Sequence, residues 1–268
     1  GFTLVELLVA VVVTAVLLAA VTQTVIVQQR TYREQMAVLG ARQTARTALE
    51  LIGTELREVS ASGNDIYVAT PDSIRFRAYK KIGVVCAVVT GSVVDVWELG
   101  TPFAQRDSAV VFSDGGAPDE TGDTWVPVRV SDRTPTDQCT ETWGAYPLTG
   151  LRLYTTLPSV GVAPGALVRQ FVPVTYGIFR INGEWVVGRK EGDAPLVALL
   201  GPIAPENGLE FRYYNGSGQP FQPVDAAQRR DIERIEIVVR VPLEGAGGGA
   251  AAVDSLVTQV QLRGNSWY

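Results

Sequence analysis

From Phe2 to Leu39 the chain has neither glycine nor proline, and residues 7–27 are apolar apart from Thr14, Thr22, Gln23 and Thr24. Nothing in that stretch breaks a helix. Roughly 20 residues at about 1.5 Å each match the hydrocarbon thickness of a bilayer. The single charged residue before Arg30 is Glu6. A carboxylate at the edge of an apolar span is costly, so it calls for a specific partner. After Arg30 the pattern changes: Ala45, Ala48, Leu49, Ile52, Leu56 and Val59 recur every three or four residues, with Arg42, Arg46, Glu50, Glu55 and Glu58 mostly off that stripe. This predicts a helix continuing to Ser60, roughly 90 Å long, with Gly40 its one weak interior point. Its second half needs a surface to cover it, and its first half protrudes.

From Asp65 onward the pattern shortens to β runs bounded by turns. Strands are predicted over residues 66–69, 74–79, 84–90, 93–99, 109–112 and 126–130, then 151–155, 167–172, 176–181 and 185–189, and finally 208–214, 232–241 and 253–263. Ile181-Asn182-Gly183-Glu184 reads as a hairpin turn, because Asn-Gly accepts positive φ at both central positions. Residues 113–124 and 131–147 read as irregular insertions. The fold expected is α+β: residues 1–60 form one helix, apolar over about 2–29 and amphipathic over about 30–60. Residues 61–268 form a large, mostly antiparallel β domain packed on the amphipathic half.

Composition narrows the function. The chain of 268 residues has a net charge of −5, which argues against a general nucleic-acid binder and supplies no polybasic membrane patch. There is no histidine, so His-based triads and imidazole metal ligands are excluded. A secretory signal peptide fits poorly, since the apolar run is too long and an acidic residue stands at its front. A plain single-pass anchor accounts for the run but leaves Glu6 unexplained.

Gly1-Phe2-Thr3-Leu4-Val5-Glu6-Leu7-Leu8-Val9 resembles the processing site and first helical turns of type IV pilins and pseudopilins. The resemblance implies cleavage by a prepilin peptidase at the Gly1–Phe2 bond and methylation of the Phe2 amine. It also implies a role for Glu6 in assembly. A processed chain would begin at Phe2, so Gly1 is a residue of the precursor or a departure from that processing. A weaker resemblance, to PilW-like minor pilins and J-type pseudopilins, rests on Gln43-Thr44-Ala45-Arg46-Thr47-Ala48-Leu49, Gly208-Leu209-Glu210-Phe211-Arg212-Tyr213-Tyr214 and Val260-Gln261-Leu262-Arg263.

The function this implies is a structural subunit of an extracytoplasmic filament, principal or minor. It would sit in the inner membrane before assembly and in an extracellular or periplasmic filament after it. Its partners would be copies of itself or other pilins, with the peptidase and the membrane assembly machinery. Glu6 would pair with the Phe2 amine of a neighbour, the only cation the apolar segments offer, and so fix their register. The alternatives are a membrane-anchored, adhesin-like binding module and, further off, an anchored hydrolase.

Outside the cytoplasm, Cys86 and Cys139 are expected to form a disulfide, against the reading of a buried free thiol at Cys86. Asp114, Asp119, Glu120 and Asp123 among glycines are weak calcium candidates; the plainer reading is a solvated acidic loop and no metal. No cofactor and no enzymatic activity are expected. Arg229-Arg230, followed by Asp231 and Glu233, reads as a salt-linked surface.

Overall fold

The computed structural model describes residues 3–114, 124–139, 142–143, 146–147, 150–155, 161–205, 207–243 and 252–263. One helix, α1 (Leu4–Arg57), is followed by β1 (Ile66–Ala69), β2 (Ser73–Thr90), β3 (Val93–Leu99), β4 (Ser108–Ser113), β5 (Thr124–Pro135), β6 (Thr142–Trp143) and β7 (Tyr146–Pro147). Then come β8 (Gly150–Thr155), β9 (Leu167–Ile181), β10 (Glu184–Glu191), β11 (Val197–Leu200), β12 (Leu209–Tyr214) and β13 (Pro220–Phe221). A short helix α2 (Ala226–Arg230), β14 (Arg234–Leu243) and β15 (Ala252–Gln261) complete the order. This is the long helix and large antiparallel β region that the polarity pattern predicts.

The strands build two bodies that share β2 and β9. In the first, β2, β3, β8, β5, β4 and β9 pair successively, and β9 pairs back onto β2, so six antiparallel strands close into a ring. Closure leaves those strands no free edge within the ring. Its interior holds Val85, Val96, Val111, Val130, Leu153 and Val168, one from each strand, with Phe103 from a loop. In the second body, the other halves of β2 and β9 carry β1, β10 and β11 as an open sheet. That sheet and a four-stranded one, ordered β13-β12-β14-β15, enclose a second core with α1.

Four of the predicted strands, 74–79 with 84–90 and 167–172 with 176–181, merge into two for a physical reason. β2 and β9 each run through what reads as two strands, because each serves both cores. On β2 the apolar pattern breaks at Lys80-Lys81, where the register against β9 shifts between Tyr79 and Lys81. Ile74, Phe76 and Ala78 are buried before that bulge and Gly83 and Val85 after it, so one extra residue moves the buried positions from even to odd. Residues 131–147 are also less irregular than predicted, since β5 reaches Pro135 and β6 pairs with β7. The predicted hairpin joins β9 to β10, with φ of 51° at Asn182 and 89° at Gly183.

α1 differs from its prediction in two ways. It ends at Arg57, with Glu58 as the C-cap, and it contains a second glycine, Gly53. Gly53 is buried, and a Cβ there would stand 3.4 Å from a methyl of Val260, so the small residue lets β15 lie close to the helix. Gly40 has nothing within 4 Å of where its Cβ would be.

Candidate assembly surface

The two halves of α1 meet different surroundings. Ala45, Ala48, Leu49, Ile52, Leu56 and Val59 are all buried against the second core. Before residue 40 no described side chain of the helix is buried, and Leu4, Leu8, Val12, Leu17, Val21 and Leu39 all lie open. This uncovered half is long and apolar enough to cross a membrane. Its few polar side chains suit that setting. Thr14, Thr22 and Thr24 donate to the carbonyls of Ala10, Leu18 and Ala20 at 2.7, 2.7 and 3.0 Å, so their hydroxyl protons need no water.

At the helix start Thr3 and Glu6 form a capping box. The Thr3 backbone N–H and hydroxyl donate to Glu6 Oε2 at 3.0 and 3.1 Å, and the Glu6 N–H donates to Thr3 Oγ1 at 3.4 Å. Two donors at the helix start are thereby satisfied, and the carboxylate sits where the helix dipole favours negative charge. Both bonds it accepts end on Oε2; Oε1 takes none among the described residues. The Thr-x-x-Glu spacing before an apolar run is a legible cap signal, which the reading of Glu6 as an assembly residue passed over.

The covered half is pinned by charge as well as by packing. Glu55 accepts from the Tyr176 hydroxyl at 2.8 Å and from Arg189 at 2.8 and 3.3 Å, with Lys80 at 3.6 Å. These contacts tie α1 to β9, β10 and β2 at once. Burial, then the negative Glu55, pushes the Tyr176 hydroxyl far above its ordinary value, so it acts as a donor. Arg42 bonds Asp254 of β15 nearer the exposed half. Where the helix stops, buried Asp65 accepts from the Ser60 N–H at 2.9 Å and the Tyr79 hydroxyl at 2.8 Å, with Arg77 at 3.4 Å. Burial raises the Asp65 carboxyl above its ordinary value, against the pull of these donors.

Of the other candidate residues, Gly1 and Phe2 lie outside the described residues, as do Asp119, Glu120 and Asp123. Asp114 follows β4, and no group of three metal-ligating side chains is found among the described residues. A disulfide joins Cys86 of β2 to Cys139 beyond β5, with Cα atoms 5.7 Å apart. The Arg229-Arg230 pair is not the salt-linked surface expected. Arg229 donates to the Ile66 carbonyl at 3.1 Å and Arg230 to the Asn64 side chain at 2.6 Å, because α2 packs on β1 beside the helix exit.

A family profile described as the prokaryotic N-terminal methylation motif matches residues 1–22. No curated protein and no solved structure matches the chain. Together, the motif and the uncovered apolar helix fit a subunit anchored in the membrane and then assembled into an extracellular filament. The chain thus carries the amino-terminal signal of type IV pilins and pseudopilins, leading a half-covered helix and a large antiparallel β region.

Proposed function

We propose that this chain is a filament subunit whose residues 4–39 pack against the same stretch of other subunits, with Glu6 pairing to the Phe2 amine of a neighbour. The observation that carries this reading is the uncovered helix half, whose residues 4–27 are mainly apolar and carry one charged side chain, the Glu6 carboxylate at their start. Apolar side chains gain little from one another in lipid alone, so helix association there depends on close packing and on polar pairs. A carboxylate that keeps one oxygen unbonded among the described residues is suited to accept a neighbour's amine. Other axial staggers would leave that charge buried and unpaired. Processing at the Gly1–Phe2 bond supplies the amine, and the motif points to a structural rather than an enzymatic role.

The test is to express Glu6→Ala, Glu6→Gln and Glu6→Asp as sole copies and to weigh sheared filaments against membrane-retained subunit. Glu6→Ala and Glu6→Gln should insert and fold but assemble poorly or not at all, with Glu6→Asp between them and wild type. Thr3→Val removes the cap hydroxyl but keeps the carboxylate, so it should assemble better than Glu6→Ala. Wild-type filament yield from Glu6→Ala, with normal processing, would contradict the proposal. An anchor alone predicts that outcome, because losing a charge only eases insertion.

A further inference from the structure

A cleft of about 510 Å³ opens where the exit of α1 meets the ring, a size that suits a small organic ligand. Arg169 of β9 and Tyr79 of β2 both line it. The guanidinium carbon lies 3.6 Å from the centroid of the Tyr79 ring and 5.8 Å from that of a Trp125 ring. This stacking fixes the plane of the guanidinium and leaves its N–H edges as the available donors. The Arg169 side chain has no ion pair within 4 Å and no hydrogen bond among the described residues, whereas the neighbouring Lys81 is taken by Asp107 at 2.8 Å. Asp65 lies behind Tyr79, bonded to Ser60, Tyr79 and Arg77, and it also feels the Arg169 charge without contacting it. Exposed Arg263, which follows β15, also lines the cleft, and its side chain has no partner among the described residues.

We propose that this cleft binds a small organic carboxylate through Arg169, with Arg263 adding a second positive charge. Three features narrow the class. A planar, pre-oriented fork matches a carboxylate through two parallel hydrogen bonds. Leu99, Leu167 and Trp125 supply apolar wall that a bare inorganic ion would not use. Exposed Glu58 also lines the cleft, and it opposes a doubly charged phosphate more than a singly charged carboxylate. Glu6 does not line this cleft.

The experiment is equilibrium dialysis of the full chain in detergent against labelled glucuronate, with glucose as the neutral match and inorganic phosphate as the ion alone. Saturable glucuronate binding is expected, with glucose and phosphate weaker. Arg169→Gln should weaken glucuronate roughly tenfold or more, the scale of a lost charge-assisted pair. Arg169→Lys keeps the charge without the fork and should fall between. Arg263→Gln changes an exposed side chain that holds nothing in place, so it should fold normally and weaken binding severalfold. It decides the matter if Arg169→Gln does not fold. Three results would each overturn the proposal: absence of saturable binding, glucose or phosphate binding as tightly as glucuronate, or wild-type affinity in every folded variant.

Discussion

The two halves of α1 are continuous in backbone and opposite in circumstance. Ile52 is 0% exposed and Leu4 82% exposed, although both are aliphatic residues on one unbroken helix. The difference lies in periodicity. The apolar positions from Ala45 to Val59 form one stripe, which a single sheet-lined core can cover, with charged residues left outside. Residues 7–21 carry apolar side chains on every face, with Thr14 the one exception, and a helix of that kind is stable only when surrounded, by lipid or by other helices. One half of the helix is thus satisfied within its own chain, and the other half calls for a surrounding that the described residues do not supply.

The largest effect should come from removing each half in turn. Deleting residues 1–27 should leave a soluble, folded protein, because the stripe and its core remain. Deleting through residue 60 removes Leu49, Ile52, Leu56 and Val59 from the second core. At about 1.5–3 kcal/mol for each buried side chain, that loss rivals the 5–15 kcal/mol of a typical domain. Aggregation of the longer deletion and monodispersity of the shorter, compared by size-exclusion chromatography, are the expected outcomes. Like behaviour of the two would break the comparison.

Single substitutions sharpen it. Ile52→Ala should cost about 2–5 kcal/mol in urea unfolding of the detergent-solubilised chain, and Leu17→Ala close to nothing. Equal losses would mean that the exposed half is packed in the monomer. Gly40→Ala should raise helix stability by about 0.8–1.0 kcal/mol, since a Cβ there meets nothing within 4 Å. A loss of stability would show that Gly40 is in close contact after all.

The smallest effect concerns the helix exit. Burial lifts the Asp65 carboxyl, so between the ordinary aspartate value and the raised one the folded protein holds more protons than the unfolded chain. Its contribution to stability should therefore fall as pH rises from about 4 toward neutrality. Glu210 works in the other direction: the Arg212 hydrogen bond holds it low, so its contribution is lost on acidification. The difference in unfolding free energy, wild type minus Asp65→Asn, should decline across that alkaline-going window. A rising difference would show that the donors from Ser60, Tyr79 and Arg77 outweigh burial.

How much of this the sequence reveals depends on the range of the interaction. The stripe on α1 is legible residue by residue because helix periodicity is local, and Asn182-Gly183 is legible because the turn needs two positive φ angles. The closed ring is not, since pairings such as Phe76 with Val174 join residues far apart in the chain. The bulge at Lys80 hides the continuity of β2 by breaking its alternation. Arg169 reads as an ordinary outward position on a strand, and only the folding of β2 against β9 sets it over Tyr79. At Thr3 and Glu6 the cap was legible but overshadowed by the assembly role of the same glutamate.

In the filament, other subunits should cover residues 4–39. Electron microscopy of sheared filaments at side-chain resolution tests it most directly. Leu8, Leu17 and Leu39 should be buried against neighbouring helices, with a neighbour's Phe2 amine within about 4 Å of the Glu6 carboxylate. A filament held together by β regions alone, with residues 4–39 uncovered and Glu6 bonded only to its own Thr3, would contradict it.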